Sequence, residues 1–385
     1  MKKSKFLQNL EYEALRKKLM FSSSQSYLHF LKPDRYPLYF VKAKGPYVWD
    51  VDGNRFIDLF LGSGVIILGH GYAEQIERVW EQLQSGAAVT MRHPVELEIA
   101  QWFSTHMNFA QRTMFFKTGS EASHAAVRLA YQASGKPIVV SLGYHGWLPP
   151  FENVSGGELR VIQAEWNSSH LEKIFSDHHK KIAALIVSPS PHELNREFYL
   201  FLESLAKENG AYFIMDEIKS GFRIAFPCLS THFKLEPDIC LLGKAVSNGF
   251  PLTALVCKEN FYHQVDFSFF STFAGEPLSM IAAIANLNIL EKKAFSQYQK
   301  YANLLFEEMG RILRGTGLKI IGLPTFWRIE YPSYDYSLTV AQKLVELGIL
   351  IHPSDEVLIS ASHDQWVIDA LIEGFSGILK QIPPG

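Results

Sequence analysis

Lys244 closes the apolar run Ile239-Cys240-Leu241-Leu242-Gly243, and Asp216-Glu217 closes an earlier one, Ala211-Tyr212-Phe213-Ile214-Met215. Taking an ammonium out of water is costly. A lysine at the inner end of such a strand is therefore either solvated at a rim, in a salt bridge, or employed as an amine whose pKa is lowered for covalent work. Asp216 also admits two readings: it caps the turn that follows, or it holds a protonated ring nitrogen from a buried position.

Two more polar groups follow strand-like runs. Thr118-Gly119-Ser120-Glu121 comes after Thr113-Met114-Phe115-Phe116 and opens a helix. Free backbone N–H groups, the helix dipole and the Ser120 hydroxyl suit a phosphate there; the plainer explanation is a Ser N-cap with Glu in the first turn. Gly143-Tyr144-His145-Gly146-Trp147 comes after a strand from Pro137 through Ser141. Its glycines bracket three rings that either stack on a planar cofactor or cover the edge of the core.

In open α/β sheets ligands bind beyond the carboxyl ends of the strands, where all four groups lie. Jointly they provide an anion cradle, a stacking ring, a carboxylate for a pyridinium and an amine for an aldehyde. Pyridoxal phosphate (PLP) requires that set. Asp216 would keep the ring nitrogen protonated, making the ring an electron sink, while Lys244 would form the Schiff base and shuttle the proton.

These groups need a scaffold of alternating strands and helices. Ala122 through Gln132 has helical spacing, Ile182 through Val187 reads as a strand, and Phe198 through Asn209 as a helix stopped by Gly210. Leu252 through Cys257 is a further strand. Such alternation predicts an α/β fold, with a mainly parallel sheet covered on both faces. Near the N-terminus, Asp52-Gly53 between Tyr47-Val48-Trp49 and Phe56-Ile57 signals a hairpin. Helices at Ser296 through Leu313 and Val340 through Leu347, with strands near Trp327 through Tyr331 and Val357 through Ser360, suit a smaller α+β domain. The expected division is an N-terminal segment 1–70 packing with the small domain, a large domain 71–295 and the small domain 296–385.

Composition narrows the classes. Lys+Arg 37 against Asp+Glu 39 leaves no basic surplus, and no basic block is interleaved with aromatics, so nucleic acid is not an expected partner. No apolar stretch approaches a membrane span, and the start, Met1-Lys2-Lys3-Ser4-Lys5, lacks a signal-peptide core. A cytoplasmic location is expected. Cys228, Cys240 and Cys257 match no zinc spacing and read as reduced and packed, and His178-His179 sits in a solvated loop, so no metal is expected.

The chain resembles the class III aminotransferases of fold type I, and most nearly their glutamate-1-semialdehyde aminomutase branch. The likeness rests on an ordered series: Gly45 through Gly53, Leu68-Gly69-His70-Gly71, Gly119-Ser120-Glu121-Ala122, Gly143-Tyr144-His145-Gly146, Asp216-Glu217-Ile218, Gly221-Phe222-Arg223, Gly243-Lys244 and Thr272-Phe273. The resemblance implies a large domain built on a seven-stranded sheet. It implies that Lys244 is joined to the cofactor, that Asp216 pairs with the pyridine nitrogen, and that Tyr144 and Ile218 face the two sides of the ring. Gly119 and Ser120 would bind the phosphate. Thr272 would reach the phosphate of a neighbouring subunit, in a homodimer with shared active sites.

Departures from the family pattern concern the substrate. Ser188-Pro189 stands where many relatives have Glu-Pro, Val357 through His363 lacks the arginine of relatives acting on ω-amino acids, and Glu276-Pro277 replaces an Asn-Pro pair. The lysine loop, Ala245 through Gly249, is also poorer in glycine than that of the aminomutases. Short connections from Trp147 to Ile182 and from Ser188 to Phe198 point to an open mouth and a bulky acceptor, a keto sugar or a carrier-linked ketone. Arg35, Arg223 and Arg328 are candidate carboxylate ligands, with ion pairing as the plainer role. The expected activity is a ping-pong aminotransferase acting on a small-molecule amino donor and a carbonyl acceptor through pyridoxamine phosphate. The alternatives are an aminomutase and a non-catalytic assembly or regulatory protein.

Overall fold

The computed structural model describes residues 5–20, 31–88, 90–151, 159–264 and 269–381. These divide into two compact units: one comprises Gly64–Ile66 and Ala73–Lys293, the other the residues up to Ser63, Ile67–Tyr72 and those from Ala294 onward.

In the second unit the strands β1 (Phe40–Lys44), β2 (Tyr47–Asp50) and β3 (Arg55–Asp58) form an antiparallel meander. The predicted hairpin at Asp52-Gly53 joins β2 to β3. Asp50 Oδ1 accepts the N–H groups of Asp52 and Asn54, and Gly53 takes φ +82°, a conformation that costs glycine little.

The other unit holds β4 (Arg112–Phe116), β5 (Ile138–Leu142), β6 (Arg160–Gln163), β7 (Ile182–Val187), β8 (Tyr212–Glu217), β9 (Ile239–Leu242) and β10 (Thr253–Cys257). They make the expected seven-stranded sheet in the order β4-β10-β9-β8-β7-β5-β6. Only β10 runs against its neighbours β4 and β9. Every residue of β5, β7, β9 and β10 is buried, so both faces of the sheet's centre are covered, as the unbroken apolar runs predict. The edge strand β6 is short and lacks such a run, and its pattern does not announce it.

The helix Gly119–Ser134 packs along β4 and β7 to β10. Its buried face is mostly small, with Ala122, Ser123, Ala125, Ala126 and Ala130 beside Val127 and Leu129. That smoothness lets the backbone lie close to the sheet. The helix Arg196–Glu208 is capped by Asn195, whose side chain accepts the Glu197 N–H, and Gly210 at φ +60° turns the chain into β8.

Returning to the small unit, β11 (Lys319–Leu323) and β12 (Phe326–Glu330) pair antiparallel, and β13 (Ile349–Leu350) pairs parallel with β3. The helices Phe295–Ile312, Tyr334–Glu346 and Gln365–Gln381 complete it. One expectation is corrected here. Val357 through Ser360 is apolar and buried but forms no strand. Val357 bonds to the Trp327 carbonyl, Leu358 to Leu59 and Ala361 to Ile67, so the backbone is satisfied by three different segments rather than one ladder. Among the described residues, no helix is long and apolar enough to cross a membrane.

Candidate active site

Strand register sets the site. Asp216 lies opposite Leu241 and Glu217 opposite Leu242, so β8 and β9 end together, and the turn Lys244–Val246 opens just beyond. Thr253, the first residue of β10, pairs with Phe116, the last of β4. The ends of β4, β8 and β9 therefore lie along one edge with the start of β10.

At β4 the N-cap is Thr118, not Ser120. Thr118 Oγ1 accepts the Glu121 N–H at 3.2 Å, and Glu121 Oε2 accepts the Thr118 N–H at 2.8 Å, a reciprocal capping box. The helix cannot itself satisfy the N–H groups of Gly119 and Ser120, which remain for an anion. The loop after β5 passes directly over this end. A Cβ on Gly146 would stand 2.2 Å from Ser120 Oγ, and Gly146 has φ +95°, so the approach requires glycine on both counts.

The three rings of that loop divide. Tyr144 and Trp147 are 66% and 62% exposed, while His145 is 4% exposed and turns inward. Its Nδ1 lies 2.7 Å from Asp216 Oδ2. The other carboxylate oxygen, Oδ1, accepts the Ile218 N–H at 3.2 Å. Sequence reasoning saw His145 only as a stacking ring; its place between two glycines, next to Tyr144, was the available signal.

The paired acids at the end of β8 have separate work. Glu217 is fully buried and caps the short helix Leu229–Phe233, accepting from Leu229 N, Ser230 N and Ser230 Oγ at 2.6 to 2.7 Å. Burial pushes its carboxyl pKa up, against those hydrogen bonds. Cys228 and Cys240 lie near it, the three ligand atoms all within 4.8 Å of one another. Because the Glu217 lone pairs are already engaged by the helix end, the cluster is a buried cap rather than a metal centre.

Ile218 is wedged between two glycines: a Cβ on Gly119 would meet its Cδ1 at 2.9 Å, and one on Gly243 its Cγ2 at 3.1 Å. Beside it, Lys244 is half-buried with φ +44°, a left-handed conformation that a lysine adopts at some cost. Buried amides hold its loop. Asn286 donates to the carbonyls of Ala245 and Val246, while Gln75 donates to Ser247 and accepts from Asn248. Neither Gln75 nor Asn286 is visible as a site residue in the sequence.

Thr272 lies on the exposed turn before Glu276. Arg223 is buried and donates to the carbonyls of Gly64 and Ile66.

Residues 31–150 and 148–382 match the family model for aminotransferase class-III. The chain belongs to the class III aminotransferases. It is 28% identical to the glutamate-1-semialdehyde 2,1-aminomutase of Methanothrix thermoacetophila, covering 94% of each chain. It is 31% identical to the 2'-deamino-2'-hydroxyneamine transaminase of Streptomyces kanamyceticus, over 68% of this chain and 69% of that one. The fold matches the PLP internal aldimine form of FumI from Sphingopyxis sp. MTA144 with a TM-score of 0.90 at 23% identity, covering 97% of this chain and 96% of that one. As a class III aminotransferase, the enzyme depends on PLP.

The residues present fit that cofactor. A helix end with N–H groups to spare lies under a glycine loop, and a buried carboxylate and a half-buried lysine end adjacent strands of the same sheet. Each supplies one group that a phosphorylated pyridine aldehyde needs.

Proposed function

We propose that this aminotransferase moves an amino group from a small amino donor to a carbonyl acceptor by a ping-pong mechanism, passing through pyridoxamine phosphate. The observation that carries this reading is the His145-bound Asp216 at the end of β8, one strand from the Lys244 turn. Bound PLP supplies an aldehyde for the amino group and a ring that accepts the electrons left when the α proton departs. Asp216 holds the proton of the ring nitrogen, and His145 Nδ1 orients that carboxylate. Gly119 and Ser120 take the phosphate through their N–H groups and the Ser120 hydroxyl, while Tyr144 and Ile218 bracket the ring. Lys244 Nζ would move the proton from the donor's α carbon to the cofactor's aldehyde carbon, and would run the same transfer in reverse in the second half reaction.

Mixing loaded enzyme with donor should release one keto product per site. An enzyme that exchanges two amino positions on one molecule, with no keto product, is instead an aminomutase. The near full-length similarity to the Methanothrix aminomutase favours that second reading. Failure of both reactions across a donor screen would leave an assembly or regulatory protein.

The acceptor in this reading is bulky, a keto sugar or a carrier-linked ketone. Ser188 through Asn195 is a tight connection, with Ser190 and Glu193 bridged across a turn, and both Tyr144 and Trp147 are exposed. Similarity to a 2'-deamino-2'-hydroxyneamine transaminase accords with this. Turnover of small keto acids and aldehydes alone would refute it. A homodimer sharing its active sites is also part of the proposal. The helix Ala73–Ser85 exposes Ile76, Trp80 and Leu83 in one stripe, an apolar face of the kind that marks a partner surface, and Thr272 is exposed on its turn. The three buried free cysteines accord with a reducing, cytoplasmic setting.

A further inference from the structure

Lys117 lies between the last residue of β4 and the cap Thr118. Its Nζ is 2.7 Å from Glu276 Oε1 and 3.1 Å from the Pro251 carbonyl oxygen. The pair is largely withdrawn from water, the two side chains 14% and 12% exposed. Glu276 is itself the N-cap of the helix Pro277–Ile289, accepting the N–H groups of Leu278 at 2.8 Å and Ser279 at 3.0 Å. It follows directly on the Thr272 turn, and Pro251 lies on the segment leading from the Lys244 loop to β10.

One ammonium, borne by the residue that leads into the cradle, thus touches two other segments next to proposed cofactor contacts: the exit of the lysine loop and the residue that follows the Thr272 turn. We propose that Lys117 is a positioning residue for the cofactor, locking these segments together through Glu276 and Pro251 rather than binding phosphate itself. A carboxylate at 2.7 Å neutralises the ammonium, and the Pro251 carbonyl takes a second of its donor directions. This inference rests on the reading of Gly119 and Ser120 as the phosphate cradle.

The test is titration of cofactor-free protein with PLP, followed by absorbance, together with the thermal midpoint of the cofactor-free protein. Lys117→Gln should weaken PLP binding about tenfold, the loss of one charge-assisted hydrogen bond. Glu276→Gln keeps an oxygen to cap the helix and removes the charge, so it should weaken binding to a similar degree and keeps the test open if Lys117→Gln fails to fold. The double variant should cost no more than either single one, because both break the same link. The thermal midpoint should stay within about 3 °C of the parent. PLP affinity within about twofold of the parent for both single variants, or additive losses in the double, overturns the proposal. Ser120→Asp serves as the control, since an added carboxylate repels a phosphate. If Ser120→Asp weakens binding and Lys117→Gln does not, the cradle stands and only the Lys117 role falls; if neither does, both fall.

Discussion

His145 Nδ1 and Asp216 Oδ2 meet at 2.7 Å with both side chains almost wholly shielded from water. His145 Nδ1 and the Ile218 N–H engage the two carboxylate oxygens, so losing the first costs the buried carboxylate orientation and stabilisation. His145→Ala should therefore lower kcat by about tenfold to a hundredfold, the range for losing a hydrogen bond to a charged group, with a smaller change in KM for the donor. Steady-state kinetics check this. Equal activity in the variant would mean that Asp216 needs no partner.

The contact between Gly146 and Ser120 leaves no room for a side chain. In Gly146→Ala the new methyl would also stand 2.8 Å from Ser120 Cα, which cannot swing aside as a hydroxyl can. Strain of about 1 to 3 kcal/mol is expected, with PLP binding weaker by about tenfold or more. Denaturant unfolding and a PLP titration measure the two effects. A variant with unchanged affinity would show that the loop does not roof the cradle.

Much of this was legible because the sheet is buried on both faces, so its strands read as unbroken apolar runs and the polar residues ending them stand out. The same logic fails at Val357 through Ser360, where burial comes from packing and the backbone bonds scatter to three separate segments. It also misses β6, an edge strand with no apolar run, and β13, two residues completing the sheet of β3. Gln75 reaches Ser247 across 172 residues of chain, a separation at which no local pattern could mark it. His145 was visible as a ring, but which way it turned depended on Gly143 and Gly146, both with positive φ.

Lys244 offers a direct chemical test of the proposed anchor. Borohydride reduction of the loaded protein should fix one cofactor per chain, and the adduct should map to Lys244 by peptide mass. Lys244→Ala should bind PLP without any reducible link and lose essentially all turnover. A fixed adduct that survives in Lys244→Ala would assign the amine elsewhere.

The small unit predicts its own acid sensitivity. His363 is fully buried, with Nδ1 2.9 Å from Ser360 Oγ and accepting the Ser360 N–H at 3.2 Å. Burial holds its imidazole pKa down to about 4 from an ordinary 6.5, although nearby Asp58 pulls the other way. Between these values the unfolded chain takes up a proton that the folded chain refuses. Stability from this group is therefore complete above pH 6.5 and is lost as the pH falls toward 4. The loss by linkage is about 3 kcal/mol. In His363→Asn the amide oxygen can still accept from Ser360 but cannot titrate, so the variant should lack this part of the acid slope. Urea unfolding across that pH range, on parent and variant, separates the two cases. Parallel slopes would show that His363 is not the group that titrates.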